Sequence, residues 1–266
     1  MNGPLVSVLM TAFNREMYIA EAIESVLSST YPNFELIVVD DCSKDRTVEI
    51  AKGYELKDKR VRVFVNETNL GDYNNRNKAA SYATGKYIKY LDSDDVMYSY
   101  TLQIMVDYME QFPEAGFGLS AVHDSRPYPI VLTPKQSYLE HFYQWGHFDR
   151  APGSSIIRKD CFDEIGGFTG ERFVGDASLW FRLGRCYPLV KIPPNLTWNR
   201  EHPSQESKFE REHAKKVNLQ RKKFVFDALA HPSCPLSEEE KNGVLAHLRK
   251  QKRKHSVYNF LKSIIR

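Results

Sequence analysis

The first hundred residues alternate between short apolar runs and segments of helical periodicity, and this alternation limits the possible folds more than any other feature. Apolar residues recur at helical spacing between Ile19 and Leu27, and a further helix is predicted from Asn74 to Thr84 with Gly85 as its C-cap. Four apolar runs predict buried strands, at residues 5–10, 34–39, 61–65 and 87–91. Such alternation predicts an α/β fold with a mostly parallel central sheet and helices on both faces.

Polar clusters follow three of these strands, at residues 11–14, 40–45 and 92–95. The carboxyl ends of parallel strands meet at one edge of a sheet, where ligands of such folds bind. The sequence therefore predicts one ligand site built from all three clusters.

The cluster at residues 92–95 carries three carboxylates in four positions, which repel one another unless a cation neutralises them. Oxygen ligands of this kind favour Mg²⁺ or Mn²⁺, with further ligands from substrate phosphates. The alternative is a solvated acidic turn that caps a helix. Asp40 is a candidate acceptor of a hydrogen bond from a base edge or a ribose hydroxyl. The alternative is an Asx turn with capping by Ser43 and Asp45.

Charge and composition exclude several classes of protein. Residues 243–266 hold seven of the 37 basic residues and none of the 34 acidic ones, so the rest of the chain is mildly acidic. A nucleic-acid-binding body is not expected from this distribution. No window approaches the ~18 apolar residues of a membrane span, no secretory signal is recognisable, and the four cysteines form no C-x-x-C pair. A reducing cytoplasm is therefore expected.

The basic C-terminal segment carries an apolar stripe at helical spacing, formed by Val257, Phe260, Leu261, Ile264 and Ile265. A basic amphipathic helix is typical of a membrane-surface element. This reading makes residues 245–266 a peripheral contact with the inner face of the membrane. Packing on the protein's own core or on a second subunit, as in a homodimer, is the alternative.

Several motifs resemble the nucleotide-sugar-binding half of family 2 glycosyltransferases, and they come in the order of that family. They are VSVLMTAFN (6–14), SVL (25–27), IVVDDCSKD (37–45), NLG (69–71) followed by Arg76-Asn77, and GKYI (85–88) followed by LDSDD (91–95). The resemblance implies the GT-A fold and an enzyme that transfers a sugar from a nucleotide-diphosphate sugar, with a UDP-sugar favoured. It is tight over about the first 100 residues and looser to about residue 205.

The resemblance also implies roles for single residues. The loop of Thr11, Ala12, Phe13 and Asn14 would hold the nucleoside together with Asp40, Asp92 and Ser93. Arg76 would approach the base or the phosphates, and Asp94 would bind Mn²⁺ or Mg²⁺ on the diphosphate. In WNREHPS (198–204), His202 would be a second metal ligand. The alternative is a surface histidine without a structural or functional role, which is the more frequent case for a lone histidine on a loop. Asn75 departs from the family, which often has Ala there.

The acceptor half is less regular but carries three matching segments. GSSIIR (153–158), IGGF (165–168) and GDASLWFRL (175–183) resemble the acceptor side of the family. In the family a Glu-Asp pair precedes a helix, and its Asp is the general base; here Gly175 replaces the Glu and Asp176 remains. The alternative for Asp176 is a helix N-cap.

These features together predict a metal-dependent, inverting glycosyltransferase of cell-surface glycan synthesis. Its acceptor would be a glycan or a polyprenol-linked glycan. Addition of one sugar per event is expected, because the Q-x-x-R-W motif of processive synthases is absent from residues 182–187. We expect a nucleotide-sugar-binding half (1–110), an acceptor-binding half (111–204) and a helical C-terminal region (205–266). The alternatives are a sugar-nucleotide pyrophosphorylase, for which residues 11–14 lack a basic glycine-rich loop, and a non-catalytic homologue.

Overall fold

The computed structural model of the protein describes residues 3–120, 124–202 and 213–264, without the side chains of residue 145 and of residues 252–264. It confirms the predicted α/β architecture around one large sheet. The first half supplies four parallel strands in the spatial order β3-β2-β1-β4. These are β1 (Val6–Ala12), β2 (Phe34–Asp40), β3 (Val61–Val65) and β4 (Tyr87–Asp92).

The second half extends the same sheet beyond β4. The order continues β4-β8-β6-β9-β7, and β8 runs antiparallel to both β4 and β6. β6 and β9 are parallel, so both run in the direction of β4. A separate two-stranded ribbon pairs β5 with β10. The bounds are β5 Val96–Met97, β6 Phe117–Ser120, β7 Ile130–Leu132, β8 Ser155–Arg158, β9 Leu189–Ile192 and β10 Thr197–Trp198.

Helices cover both faces of the sheet because its strands are apolar on both sides. Along β1, Val8 and Met10 belong to the core under α1 and α4, whereas Leu9 belongs to the core under α3, α5 and α7. The helices are α1 Ile19–Leu27, α2 Thr47–Glu55, α3 Asp72–Ser81, α4 Thr101–Glu110, α5 Pro134–Glu140, α6 Lys159–Glu164, α7 Gly175–Cys186, α8 Ala214–Ala230 and α9 Glu238–Ile264.

The bounds of α3 differ from the prediction. The helix begins at Asp72, two residues early, and ends at Ser81 with Tyr82 as its C-cap. The assignment of Gly85 as C-cap is therefore wrong. Gly85 meets a different demand, because a Cβ there would lie 2.7 Å from the Leu5 carbonyl oxygen and 2.7 Å from the Ser7 nitrogen. Glycine allows this close approach to the start of β1.

The C-terminal helices α8 and α9 are present, as expected for a helical extension. Ala228 and Leu229 of α8 and Val244 of α9 join the core that contains α5 and α7. The predicted stripe from Val257 to Ile265 lies outside the part of the chain whose side chains are described. Within residues 3–120, 124–202 and 213–264, no helix has both the length and the apolar character needed to cross a membrane.

Candidate active site

The three polar clusters meet at the carboxyl edge of the sheet, as the strand pattern predicts. Ala12 lies opposite Asp40 in the β1–β2 pair, and Thr11 lies opposite Asp92 in the β1–β4 pair. Two hydrogen bonds join the first two loops: the Asn14 amide donates to Ser43 Oγ (2.8 Å), and the Lys44 amide donates to Asn14 Oδ1 (2.9 Å). Asn14 has a φ of 53°, in the left-handed region that asparagine tolerates.

Asp40 and its neighbour Asp41 are both buried, and their carboxylates accept hydrogen bonds from different groups. Asp40 Oδ1 accepts the Ser43 amide at 2.8 Å, and the Ser43 hydroxyl donates to Oδ2. This is the turn that the sequence offered as the alternative, and a role of Asp40 toward a nucleoside stays a prediction. Asp41, which sequence analysis did not select, accepts the amides of Leu70 (2.8 Å) and Gly71 (2.9 Å).

Asn75, the departure from the family pattern, strengthens the same loop from α3. Its side-chain amide donates to the Val39 carbonyl at 3.1 Å, and its Oδ1 accepts Asn66 Nδ2 at 2.9 Å. Asn66 also donates to Asp41 Oδ1 at 2.9 Å. The asparagine therefore ties α3 to the carboxyl ends of β2 and β3.

Arg76 is the central cation of the site. Its Nη2 donates to Asp92 Oδ1 at 2.7 Å and its Nε to Asp72 Oδ1 at 2.9 Å, while its guanidinium lies 5.7 Å from the centroid of the Tyr90 ring. Burial acts to raise the pKa of Asp92, but the Arg76 guanidinium outweighs it and holds that pKa below its usual value. The buried Nη1 has no hydrogen-bond partner within the described residues.

Asp94 forms the second charged centre, beside the buried Ser93. Asp94 Oδ2 lies 3.0 Å from Arg15 Nε and 3.0 Å from His202 Nε2. The His202 ring also lies against Tyr18, with 4.8 Å between centroids. The structure thus brings the two predicted metal ligands together, and it adds Arg15, which sequence analysis missed.

The segment that carries His202 is held by the acidic turn itself. Asp95 Oδ1 accepts the Arg200 amide at 3.0 Å and its Oδ2 accepts Asn199 Nδ2 at 2.6 Å, while Arg200 Nε donates to the Asp94 carbonyl at 3.0 Å. Burial, together with the nearby charge of Asp92, raises the pKa of Asp95 to about 6. Asp95 is therefore a structural link that the motif alone does not reveal.

The donor set fits a divalent cation with few protein ligands. Within the described residues, no group of three or more His, Cys, Asp or Glu side chains is arranged to hold a metal ion. The Asp94 carboxylate and the His202 imidazole nevertheless supply two donors at one point. Mg²⁺ and similar ions bind through one or two protein carboxylates when substrate phosphates complete the shell. The pair is compatible with such a shared site.

Asp176 lies in the first turn of α7, which begins at Gly175. The N-cap is Val174, and no side chain caps the helix, so the N-cap alternative for Asp176 is wrong. The Tyr73 ring lies against Gly175, the residue before Asp176, and a hydrogen-bonding interaction of its side chain acts to lower the pKa of the Asp176 carboxyl. Burial, with the charges of Asp72 and Asp92, raises the pKa of Asp176 to about 7, although Arg76 acts in the opposite direction. Arg76 therefore interacts with both Asp92 and Asp176.

Of the residues that sequence analysis missed, Arg15 had a usable signal. It directly follows the Thr11–Asn14 cluster and is a cation next to an edge predicted to be acidic. Tyr73 had none, because an aromatic residue at a helix start is normally part of the core. Both contacts depend on segments that are far apart in the sequence.

A family model and several known proteins match this chain in sequence. The model of the family described as "Glycosyl transferase family 2" matches residues 7–166. A glucosyltransferase from Escherichia coli, UDP-Glc:alpha-D-GlcNAc-diphosphoundecaprenol beta-1,3-glucosyltransferase WfgD, is 40% identical over 109 residues, which are 41% of this chain and 42% of that protein. In the first curated relatives the match covers 39% to 48% of their length, so the chain spans less than half of them.

Solved structures show the same fold. TarS from S. aureus in complex with UDP-GlcNAc superposes with a TM-score of 0.67 at 22% identity and covers 91% of this chain and 70% of that one. The mannosyltransferase PcManGT from Pyrobaculum calidifontis, in complex with GDP-Man and Mn²⁺, gives a TM-score of 0.59 at 19% identity, with 76% and 58% covered.

Proposed function

Because the chain belongs to glycosyltransferase family 2 and has the GT-A fold, we propose that it transfers one sugar from a nucleotide-diphosphate sugar to a hydroxyl group of an acceptor. The transfer is metal-dependent and inverts the anomeric centre. The observation that carries the proposal is the arrangement around Arg76, which interacts with Asp92 on the donor side and with Asp176 on the acceptor side. Residues 1–110 form the nucleotide-sugar-binding half, and residues 111–204 form the acceptor-binding half.

Asp176 is the general base of the transfer. Its carboxylate takes the proton of the acceptor hydroxyl while the acceptor oxygen attacks the anomeric carbon from the side opposite the diphosphate. The bond between that carbon and the diphosphate oxygen breaks, and the nucleoside diphosphate leaves with the bonding electrons. A pKa of about 7 leaves the carboxylate basic enough for this task and ionised in part of the population at neutral pH.

The leaving diphosphate needs positive charge. Arg15 and Arg76 supply fixed cations next to Asp94 and Asp92. Mn²⁺ or Mg²⁺ held by Asp94 and His202 would neutralise the charge that develops on the diphosphate. The Mn²⁺ in the similar mannosyltransferase complex supports a divalent cation in this role.

The relatives guide the choice of substrates. The UDP-GlcNAc bound to TarS and the UDP-Glc named for WfgD favour a UDP-sugar as donor. The diphosphoundecaprenol-linked GlcNAc named for WfgD favours a lipid-linked glycan as acceptor. Nucleoside binding is assigned to the loop of residues 11–14 with Asp40, Asp92 and Ser93. Contact of residues 245–266 with the inner face of the membrane would bring the protein to such an acceptor.

A donor screen followed by a transfer assay tests the proposal. UDP-Glc, UDP-GlcNAc and GDP-Man are each added with Mn²⁺ or with EDTA, and the change in Tm is measured. The donor that raises Tm only with Mn²⁺ is then incubated with a GlcNAc-diphospholipid acceptor, and the anomeric configuration of the product is determined by proton NMR. An inverted glycoside is expected. Conversion of the donor and added inorganic pyrophosphate into a nucleoside triphosphate and a sugar 1-phosphate would instead indicate a pyrophosphorylase.

The matched variants are Asp176→Asn and Asp107→Asn. A positioned base contributes about 10²–10⁴-fold, so Asp176→Asn should lose at least about a hundredfold in kcat while the donor still raises its Tm. Asp107 is an exposed carboxylate on α4, and its change to Asn should leave kcat unaltered. Equal activity of the two variants would overturn the assignment of the base.

A further inference from the structure

The position next to the proposed base is occupied by an aromatic ring from another helix. Gly175 precedes Asp176, and a Cβ at Gly175 would lie 2.5 Å from Cζ, 2.6 Å from Cε2 and 2.7 Å from Cε1 of Tyr73. These distances are shorter than any ordinary carbon–carbon contact. The Tyr73 ring therefore fills the space into which a side chain at position 175 would extend.

The same ring also contacts a second aromatic residue. Tyr73 stacks on Phe168, with 5.3 Å between centroids and 27° between planes. The backbone of Phe168 is in turn held by Asn77, whose Nδ2 donates to the Phe168 carbonyl (2.8 Å) and whose Oδ1 accepts the Phe168 amide (2.9 Å). Tyr73 and Asn77 lie one turn apart on α3. Two residues of this helix thus contact the loop that leads to Asp176.

A second helix, α7, also holds that loop. Arg182 of α7 donates from Nη1 to the Ile165 carbonyl at 2.6 Å and from Nη2 to the Gly167 carbonyl. Between this anchored loop and α7, Phe173 adopts a φ of 71°, a conformation that is strained for a bulky residue. The chain therefore enters α7 along a constrained path, with Tyr73 next to its first turn.

We propose that Tyr73 is a positioning residue for Asp176, and that Tyr73 and Gly175 form a complementary pair in which the tyrosine ring occupies the space beside the base and its hydroxyl supports the Asp176 carboxylate. The proposal rests on the glycosyltransferase function proposed above, with Asp176 as its base. The ring lies directly beside Gly175, which precedes the base in the chain, and a hydrogen-bonding interaction of the tyrosine side chain favours the ionised Asp176 carboxylate. The missing side chain at Gly175 is what makes room for the ring.

The hydrogen bond has a defined effect on protonation. A donor to a carboxylate stabilises the ionised form, and here it acts with Arg76 against burial and against the charges of Asp72 and Asp92. The groups that face Asp176 are therefore Asp72, Tyr73 and Arg76 from α3 and Asp92 from β4. Loss of the hydroxyl should raise the pKa of Asp176.

Tyr73→Phe tests the hydroxyl alone, because the ring and its packing are kept. A hydrogen bond to a charged group is worth about tenfold in an equilibrium. We expect kcat to fall about tenfold below pH 7 and to approach the parent value near pH 9, with the donor KM unchanged at both. A loss by the same factor at every pH would overturn the proposal, since a merely structural defect does not follow the protonation of one carboxylate.

Tyr138→Phe is the matched control. Tyr138 is fully buried, and its hydroxyl donates to the Phe181 carbonyl of α7 at 2.8 Å, five residues beyond Asp176. This variant loses the same chemical group next to the same helix. It should leave the pH at which kcat is half-maximal unchanged, and a shift equal to that of Tyr73→Phe would also count against the proposal.

The fit between ring and glycine is tested without activity. Gly175→Ala is combined with Tyr73→Ala in a double-mutant cycle, and the Tm of all four proteins is measured. Gly175→Ala should lower Tm in the presence of the tyrosine, because the methyl group overlaps the ring, and should have little effect in the Tyr73→Ala protein. Equal losses in both backgrounds would contradict the complementary pair.

A titration separates this inference from the proposed function. The carboxyl carbons of aspartate are ¹³C-labelled, and the Asp176 signal is assigned from its absence in Asp176→Asn. If the parent protein transfers sugar from none of the donors, the proposed function fails. An increase of the Asp176 pKa in Tyr73→Phe would then still support the positioning role. An unchanged pKa refutes that role even if the enzyme is active.

Discussion

Asp176 carries an energetic cost at neutral pH because its side chain is largely buried near two other carboxylates. Its pKa is raised from 3.8 to about 7 by burial and by Asp72 and Asp92. Between these two pH values the folded protein keeps the proton and the unfolded chain releases it, so this group makes stability fall as pH rises toward 7. Below pH 4 both states hold the proton, and above pH 7 both have lost it.

Because the ionised Asp176 carboxylate destabilises the folded protein, its replacement by Asn should increase stability above pH 7. The variant should unfold at higher urea concentration than the parent protein at pH 8, and the difference should vanish near pH 4. The upper limit is roughly 4 kcal/mol from 1.36 kcal/mol per pKa unit, and the partial exposure of the side chain reduces it. Urea unfolding curves at the two pH values measure the effect. A less stable variant at pH 8 would show that the carboxylate is not strained in the folded state.

His202 is the residue through which metal binding can be tested most directly. His202→Ala removes the donor that lies 3.0 Å from Asp94 Oδ2, so the Mn²⁺ concentration for half-maximal rise in Tm with UDP should increase. Substitutions of residues that only support the metal ligands already lower metal affinity about 10–100-fold. For His202→Ala we therefore expect the Mn²⁺ midpoint to increase at least about tenfold. The exposed His231 is the control, and His231→Ala should keep the parent midpoint. Equal midpoints for both variants would exclude His202 as a ligand.

At the scale of elements, α3 joins the two halves of the site, and its start depends on Asp41. No side chain of its own caps the helix, and Gly71, which precedes it, has a φ of 80°. The Asp41 carboxylate fixes this turn by accepting the amides of Leu70 and Gly71. The positions of Tyr73 and Arg76 thus follow from a carboxylate at the end of β2.

Asp41→Ala should therefore destabilise the protein although the side chain touches no proposed substrate. It leaves the Leu70 amide without its acceptor and removes one of two acceptors from the Gly71 amide and from the Asn66 side chain. Hydrogen bonds to a charged group are worth about 1.5–3 kcal/mol each. A loss of about 3 kcal/mol in the free energy of unfolding is expected from urea titration. Asp107→Ala, at an exposed position of α4, serves as reference. A loss below about 1 kcal/mol would mean that the loop is held by other contacts.

At the scale of the whole molecule, a buried ionic cluster supports the strands beyond β4. Lys191 of β9 is fully buried and pairs with Asp124, with Glu140 of α5 at 3.7 Å. Arg126 bridges the same two carboxylates at 2.8 Å and 2.7 Å. Hydrogen bonds from Arg126 and Lys191 hold the pKa of Asp124 far below its usual value despite opposing desolvation. The cluster connects β9, α5 and the segment that follows β6.

Removal of one buried partner is expected to cost more than replacement of both. Lys191→Met leaves the cluster of Asp124, Glu140 and Arg126 with one excess negative charge and should cost about 3 kcal/mol or more, whereas Lys191→Met with Asp124→Leu should recover most of this loss. The half-exposed pair Lys86–Glu110 is the reference, and Lys86→Met should cost at most about 1 kcal/mol. Urea titration measures the free energy of unfolding of each variant, and equal costs at the two sites would show that burial does not set the cost of losing a charge.

The sequence by itself determined the first four strands and the edge of the sheet where Asp40, Asp92 and Asp94 lie. This was possible because apolar periodicity is a local property and because parallel strands place their carboxyl ends together. The same reasoning placed α3 two residues late, since its first turn is set by Asp41, a residue on another element.

Only the tertiary structure decided which partner each charge has. Arg15 meets Asp94 across 79 positions of sequence, and Arg200 meets the Asp94 carbonyl across 106. The overlap of Tyr73 with the space beside Gly175 likewise joins two helices that no local pattern relates. Such contacts depend on how the elements pack in three dimensions, and hydrophobic periodicity specifies which face of a helix is buried but not which side chain it will meet there.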